Sequence, residues 1–142
     1  ETPSAPEAFA NWTTMEDVMN AENRATAMIP AHNVERAVAW YRDKLGIAPA
    51  SQDEYGASFQ FNGVRAFLYK SDYAGTAEHT ILSFDTTDLD ADMRDMRGKG
   101  VTFVDYDLPD LKTENGVASF GPVKNAWAKD SEGNILGFVQ GM

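Results

Sequence analysis

The sequence predicts an α+β domain built from two copies of a βαβββ module. Two observations support this prediction. A strand, a helix-capping residue and an apolar helical stripe occur twice in that order, and the two capping residues, Asn33 and Asp88, stand 55 positions apart. Recurrence at a fixed period is typical of a duplicated unit, and helices that cover one face of mainly antiparallel sheets define the α+β class.

The composition indicates a single globular domain. The chain has 142 residues, 43% of them hydrophobic, which is enough to bury one core. It contains no cysteine, which excludes disulfides and thiolate metal sites and fits a reducing cytoplasm. No apolar run is long enough to span a bilayer, and the N-terminus lacks the features of a signal peptide. We therefore expect a cytoplasmic protein with no membrane partner.

The net charge limits the possible ligands. The charge of −10 at neutral pH repels nucleic acid, so a nucleic-acid partner is not expected. Such a charge either serves solubility or attracts a cationic ligand, and the composition does not decide between these two roles.

Residues 1–23 are expected to form an N-terminal arm that precedes the domain proper, residues 24–142. Thr13 and Glu16 have the spacing of a capping box, T-x-x-E. This pattern predicts a short helix over roughly 14–22.

The first module spans about 24–72. Its helix is predicted to begin after Asn33, whose side chain can accept a hydrogen bond from a free backbone N–H. The helix is predicted to end at Gly46, which suits the left-handed position after a last turn. Asn62-Gly63 predicts a tight hairpin turn, because both residues tolerate positive φ. The predicted strands are 25–31, 47–53, 55–61 and 64–70.

The second module spans about 78–142 and repeats this order. Its helix is predicted to follow Asp88 and to end at Gly98 or Gly100. The long polar segment 107–116 is predicted to be a loop. The predicted strands are 78–86, 101–106, 124–130 and 134–140, the last two joined by a turn at 131–133.

Three segments resemble one superfamily. NVERAVAWYRDKLG (33–46), TTDLDADMRDMRGKGVTF (86–103) and WAKDSEGNIL (127–136) are similar to the two helices and the last hairpin of the vicinal-oxygen-chelate superfamily, the glyoxalase, bleomycin-resistance and extradiol-dioxygenase group. The resemblance implies two modules whose curved mixed sheets surround a central cavity, and it implies a homodimer. Many members hold a divalent metal with His or Gln on the first strand of each module and Glu on the last. Other members bind small molecules without metal.

The four positions implied for metal ligands hold unsuitable residues. They fall on Thr26, Phe67, Ile81 and Gly137, which offer neither imidazole nor carboxylate, whereas a catalytic ion needs about three protein ligands. Only His79 lies nearby, on the same predicted strand face as Ile81. We therefore expect a site without a metal cofactor, and a divalent metal is the alternative.

The strand face turned away from the helices is the predicted ligand-binding surface. Its mixture of aromatic, hydroxyl and charged groups is typical of pockets for small molecules. The alternative is that this face has closed into a second core or a dimer interface. The candidate ligand-binding residues are Thr26, Met28, Phe59, Phe61, Arg65, Phe67, Tyr69, His79, Ile81, Trp127 and Gly137.

Two functions from different classes remain open. The first is a metal-independent binding protein that sequesters a cationic or aromatic compound, as in antibiotic resistance. The second is a lyase, isomerase or dioxygenase that uses an atypical metal set or the metal-free pair His79 and Tyr69, the two catalytic candidates. A scaffold without a small ligand is a third possibility, since fold alone does not determine function.

Overall fold

The computed structural model describes residues 23–142, which form two four-stranded sheets and two helices. The predicted helix over 14–22 lies outside the described residues. The elements are β1 (Ala27–Ala31), α1 (Val34–Leu45), β2 (Ser51–Asp53), β3 (Gly56–Phe61), β4 (Val64–Lys70), β5 (Thr80–Thr86), α2 (Leu89–Gly98), β6 (Asp107–Leu108), β7 (Leu111–Lys112), β8 (Val117–Phe120), β9 (Val123–Lys129) and β10 (Ile135–Gln140). Neither helix is long and apolar enough to cross a membrane.

The two sheets have the same topology. The first has the strand order β1-β4-β3-β2 and the second β5-β10-β9-β8. In each sheet the first and last strands of the module pair in parallel, and the other neighbours are antiparallel. This arrangement confirms two βαβββ modules in one chain.

Both helices begin where their capping residues predict. The Asn33 side chain accepts a hydrogen bond from the backbone N–H of Arg36 at 3.0 Å, and the Asp88 side chain accepts one from Ala91 at 3.1 Å. At the end of α1, Gly46 adopts φ 73°, and its N–H donates to the carbonyl of Arg42. Capping therefore fixes the same helix position in both modules.

The helices cover one face of each sheet, and the core lies between them. In the first sheet Ile29, Ala66 and Leu68 are buried under α1, and in the second sheet Leu136 and Phe138 are buried under α2. Aromatic rings connect the two halves of this core. The pairs that make this connection, each with ring centroids within about 6 Å, are Tyr41–Phe59, Phe59–Phe61, Phe61–Phe84, Phe84–Phe138 and Phe103–Phe138.

The second strand of the second module differs from the prediction. Segment 101–106 forms only one isolated bridge, between Phe103 and Ala128, whereas β8 (Val117–Phe120) occupies the edge beside β9. The physical reason is that β8 already pairs with residues 123–126 of β9, which leaves only the far end of that strand for Phe103. The predicted loop 107–116 contains the small hairpin of β6 and β7.

The turn Asp130–Asn134 fastens the second module to the first. The Glu132 carboxylate accepts two hydrogen bonds from the Arg36 guanidinium, at 2.8 and 2.9 Å, and one from the backbone N–H of Asn33. The Tyr41 hydroxyl donates to Asp130 at 2.7 Å, and the Asn134 amide donates to the carbonyl of Pro30. We call this set of contacts the module clasp.

Candidate functional site

Each sheet has a second face, turned away from the helices, which we call the open face. Strand alternation places Met28, Phe67 and Tyr69 on the open face of the first sheet, because their neighbours Ile29 and Leu68 are buried under α1. On the second sheet the open face carries Trp127, Gly137 and Val139 among others. Several of the candidate residues therefore lie together on one face of their sheet.

The open face of the first sheet presents apolar side chains to solvent. Met28 pairs with Phe67, and Pro30 pairs with Tyr69, across β1 and β4. The Met28 side chain is in large part accessible, with the residue 54% exposed, and Phe67 and Tyr69 are half-buried. Arg65 lies exposed two residues before Phe67, and half-buried Thr26 immediately precedes β1. Burial of this apolar surface by a ligand or a partner would be favourable.

The open face of the second sheet is filled by Trp127. This residue lies on β9 directly opposite Gly137 of β10. Its indole N–H donates to the Thr80 hydroxyl at 3.1 Å, and Thr80 lies on β5, on the far side of β10. The indole N–H therefore reaches from β9 to β5 across the middle strand β10. A Cβ at Gly137 would lie 3.3 Å from Ser83 Oγ and Thr80 Cγ2. Tyr106 contacts the indole edge-on, with ring centroids 5.3 Å apart.

A bulge in β5 corrects the predicted position of Ile81. Thr80 pairs with Ile135 and Leu82 pairs with Leu136, so Ile81 is the extra residue between them. Ile81 packs against the helix-covered core instead of lying on the open face. Because of the extra residue, the side chains before the bulge point to the opposite face from the one that simple alternation predicts. Thr80 therefore takes the position on the open face that the sequence assigned to Ile81.

Phe59 and Phe61 are also placed differently from the prediction. Phe59 pairs with Ala66, whose side chain lies on the helix-covered face, and only 2% of Phe59 is exposed. Phe61 stacks on Phe59 and packs against the same core. Both rings belong to the core, because the pairing of β3 with β4 determines which residues of β3 face the helix.

The two catalytic candidates are not joined. His79 is exposed, and its Nδ1 lies 3.0 Å from the carbonyl oxygen of Thr80. Tyr69 lies on β4 opposite Pro30. Among residues 23–142, no hydrogen bond links the imidazole to the Tyr69 hydroxyl. Their action as an acid–base pair would need both groups within hydrogen-bond reach of one substrate, and it stays a prediction.

The donor set does not fit the metal that the resemblance implies. Thr26, Phe67 and Gly137 occupy the implied positions, and Thr80 stands where Ile81 was predicted. One or two hydroxyls cannot replace the imidazole and carboxylate ligands of a catalytic ion. Within the described part of the chain, no three His, Asp or Glu residues cluster closely enough to hold a metal.

Three open-face residues were missed by sequence reasoning. Thr80 and Tyr106 hold the Trp127 indole, and Asn125 shares the face of Trp127 two residues away on β9. The Asn125 Oδ1 atom is buried and has no hydrogen-bond partner in residues 23–142. A buried acceptor without a partner costs free energy unless it is paired. The alternation of β9 could have identified Asn125, but only the bulge reveals Thr80.

Two ionisable side chains of the module clasp, Glu132 and Tyr41, have shifted pKa values. Burial of the Glu132 carboxylate, whose side chain is inaccessible, opposes ionisation, but hydrogen bonds from Arg36, Ser131 and Asn33 lower its pKa to about 2. Burial, followed by the charge of Asp130, raises the pKa of Tyr41 well above its usual value. Glu132 is therefore ionised and Tyr41 neutral at physiological pH, and both hold the modules together.

Four surface grooves lie away from the aromatic part of the open face. None of them is lined by Phe67, Tyr69 or Trp127. One groove, with a volume of about 540 Å³, includes Thr26 and Arg65 at the start of the first sheet.

Comparisons with known proteins agree with the topology. No protein-family model and no curated protein matches the chain. Solved structures do match it. A glyoxalase/bleomycin resistance protein from Catenulispora acidiphila is 21% identical, with a TM-score of 0.62 over 84% of this chain and 98% of that chain. A glyoxalase/bleomycin resistance protein/dioxygenase from Nocardioides is 13% identical, with a TM-score of 0.65 over 96% and 93%.

A third match extends the same result. A glyoxalase family protein from Bacillus anthracis is 14% identical, with a TM-score of 0.63 over 87% of this chain and all of that chain. Identities this low establish a shared fold and no more. The chain has the fold of the glyoxalase/bleomycin resistance/dioxygenase proteins, the paired βαβββ fold of the vicinal-oxygen-chelate superfamily.

Proposed function

We propose that this protein binds a small planar aromatic compound on its open face, without a divalent metal, and sequesters it. The observation that carries the proposal is the apolar and aromatic character of this face, with Met28 54% exposed and Phe67 and Tyr69 half-buried. Aromatic and apolar walls with a few polar groups are characteristic of sites for small organic ligands. The donor set at the implied ligand positions supports binding without metal.

We further propose that a second copy of the chain encloses the ligand. Large apolar side chains are exposed on the open faces of both sheets, namely Met28 at 54% and Phe120 at 49%. A second open face packed over them would bury this surface and make a closed cavity. A homodimer is therefore the proposed form of the binding protein.

The aromatic character and the cationic character of the proposed ligand are supported by different observations. The aromatic part is supported locally, because Trp127 and Tyr106 form an edge-to-face pair on the second sheet and the open face of the first sheet carries Phe67 and Tyr69. The cationic part is supported by the net charge of −10, which attracts cations at long range. On the open face itself, the charges of Arg65 and Lys129 are balanced by those of Asp53 and Asp85. Contact with the aromatic rings is therefore the stronger determinant.

The test compares two ligands of similar shape. The cation 1-methylquinolinium and the neutral 2-methylnaphthalene are titrated into a Trp40→Phe variant, and the remaining tryptophan fluorescence is recorded. We expect saturable quenching by both compounds, and addition of a chelator should not change the affinity. Phe67→Ala should weaken binding by at least about fivefold, since an aromatic contact contributes on the order of 1 kcal/mol.

The matched control is Tyr73→Ala, which removes a ring that is 79% exposed and lies in the linker between the modules. This variant should bind as tightly as the parent. Quenching that does not saturate, or equal affinities for the parent and Phe67→Ala, would refute binding on the open face. A chain that stays monomeric in sedimentation at saturating ligand would refute enclosure by a second copy.

A further inference from the structure

A polar groove lies on the other side of the second sheet, between α2 and the edge strand β8. We call it the α2 groove. Its volume is about 560 Å³, within the usual range for ligand sites. The residues that line it are Asp90, Met93, Arg94, Arg97, Glu114, Asn115, Val117, Ser119 and Lys124.

The groove exists because α2 does not cover the edge of its sheet. Val117 of β8 pairs with Ala126, whose side chain is fully buried on the helix-covered face. Ser119 pairs with Lys124 two positions further along, so strand alternation puts Val117, Ser119 and Lys124 on this same face. The α2 groove is therefore separated from the open face by the thickness of the sheet.

Three cationic side chains converge on the groove without ion pairs. In residues 23–142, five cationic side chains have an acidic partner within 4.0 Å, namely Arg36, Arg42, Lys70, Lys99 and Lys112. The other seven have none among these residues, and three of the seven line this one groove. Arg94, Arg97 and Lys124 have no such partner among these residues. Only two acidic side chains, Asp90 and Glu114, line the groove, so it carries an excess of positive charge on a chain whose net charge is −10.

One of these cations is already fixed in position. The Arg97 Nη2 donates to the carbonyl oxygen of Asn115 at 2.8 Å, and its guanidinium lies 5.2 Å from the centroid of the Phe103 ring. Arg94 lies three residues earlier, on the same side of α2. A guanidinium that is held before binding loses little entropy when it receives a carboxylate.

We propose that the α2 groove binds a small organic carboxylate that also has an apolar portion. Arg94, Arg97 and Lys124 receive the carboxylate through charge-assisted hydrogen bonds. Met93, which is buried, and Val117, which is half-buried, form the apolar part of the lining that the rest of the ligand contacts. Asp90 and Glu114 disfavour ligands with a second negative charge, so a monoanion is preferred over a dianion.

The test uses phenylacetate as the monoanion, phenethylamine as a cation of similar size, and inorganic phosphate as an anion without an apolar portion. Binding is followed by the chemical shifts of backbone amides in ¹⁵N-labelled protein. We expect saturable shifts from phenylacetate at α2 and β8 and weaker binding of the other two probes. The double variant Arg94→Ala/Lys124→Ala should weaken phenylacetate binding by at least about tenfold.

The matched control is Arg42→Ala/Lys70→Ala, which removes two exposed cations of the first module that line neither the α2 groove nor the open face. It should bind phenylacetate like the parent, because both substituted residues lie outside the α2 groove. It is a matched control because each double variant changes the net charge by the same amount. If both double variants lose affinity equally, the effect is one of net charge and the α2 groove is not the site. Absence of saturable shifts from phenylacetate would also overturn the proposal, and it would leave the open-face proposal unaffected.

Discussion

Glu132 shows how one side chain connects two distant parts of the sequence. Its carboxylate is inaccessible, yet it accepts hydrogen bonds from the Arg36 guanidinium, the Asn33 backbone and the Ser131 hydroxyl. A buried carboxylate is tolerated only when its acceptor sites are filled. Here they are filled by the first turn of α1, so the residue that stabilises this helix end belongs to the other module.

We predict that Glu132 makes the protein sensitive to acid. The folded state lowers the pKa of this carboxyl from 4.5 to about 2, so the folded state favours the ionised form. The resulting stabilisation is present above about pH 4.5 and is lost as the pH falls towards 2, and it amounts to about 3 kcal/mol. Urea unfolding between pH 2 and 7 should show a shallower pH dependence for Glu132→Gln than for the parent.

The control for this prediction is Asp43→Asn. Asp43 also pairs with an arginine, but the two side chains are 59% and 54% exposed, and solvent screens such pairs. Its removal should leave the pH dependence of unfolding close to that of the parent. Equal pH profiles for the parent and Glu132→Gln would contradict the prediction.

At the scale of single residues, the sequence predicted the side-chain chemistry of the candidate site better than the face of the sheet on which each residue lies. The unsuitability of Thr26, Phe67 and Gly137 as metal ligands follows from side-chain chemistry alone. The replacement of Ile81 by Thr80 on the open face does not, because a bulge depends on the register between two strands that lie far apart in the sequence. The contact from Trp127 across β10 to Thr80 depends on that same register.

At the scale of elements, the helices were predicted to the residue at their N-termini, whereas the second strand of the second module, β8, was not anticipated. Asn33 and Asp88 carry local capping signals that act within four residues. The edge strand β8 has no such local signal, because it forms only by pairing with β9. Segment 101–106 competes for the same edge of β9, where Phe103 bridges to Ala128. Local chemistry is readable in a sequence, whereas competition between strands for one edge is a property of the assembled sheet.

The β3–β4 hairpin leads to a second prediction, at Gly56. This residue has φ 155°, and a Cβ added there would lie 2.1 Å from the carbonyl oxygen of Leu68. Gly46 also has positive φ, but a Cβ there would meet nothing within 4 Å. Gly46→Ala should therefore cost only the strain of the left-handed conformation, about 1 kcal/mol, and Gly56→Ala should cost more because the strand must move.

Thermal unfolding followed by circular dichroism tests this pair of variants. The melting temperature should fall further for Gly56→Ala than for Gly46→Ala. The reverse order would show that β3 adjusts its position easily, and would contradict the close approach of the two strands.

At the scale of the whole molecule, the two modules should unfold as one unit. The module clasp joins α1 to the last hairpin, and the rings of Phe61 and Phe84 meet between the two halves of the core with centroids 5.4 Å apart. The shared core means that neither module keeps its full buried surface without the other.

We predict a single transition observed equally by Trp40 in the first module and Trp127 in the second. Two variants that each retain one of these tryptophans as the only reporter are unfolded in urea. Tyr41→Phe should lower both midpoints by the same amount, because it removes the hydrogen bond to buried Asp130 at a cost of about 1–3 kcal/mol. Midpoints that separate for the two reporters would refute cooperative unfolding.

The overall architecture was the most predictable level. Its repeat, its class and its agreement with solved glyoxalase/bleomycin resistance structures follow from a pattern that extends over the whole chain, so errors in single strands do not affect it. The Asp130–Asn134 turn was predicted as a turn, but its contacts with Arg36 and Tyr41 were not, because they join residues that are about ninety or more positions apart.

The bulge in β5 also determines how the two halves of this chain must be aligned. From Ala27 and Leu82 to the helix caps Asn33 and Asp88, equivalent positions differ by 55 in number, but before the bulge the difference is 54, and Thr26 then corresponds to Thr80. An ungapped alignment of the two halves would compare Thr26 with Ile81 and would miss that both modules place a threonine at the same point. Estimates of how far the copies have diverged should therefore be made with a one-residue gap at this strand.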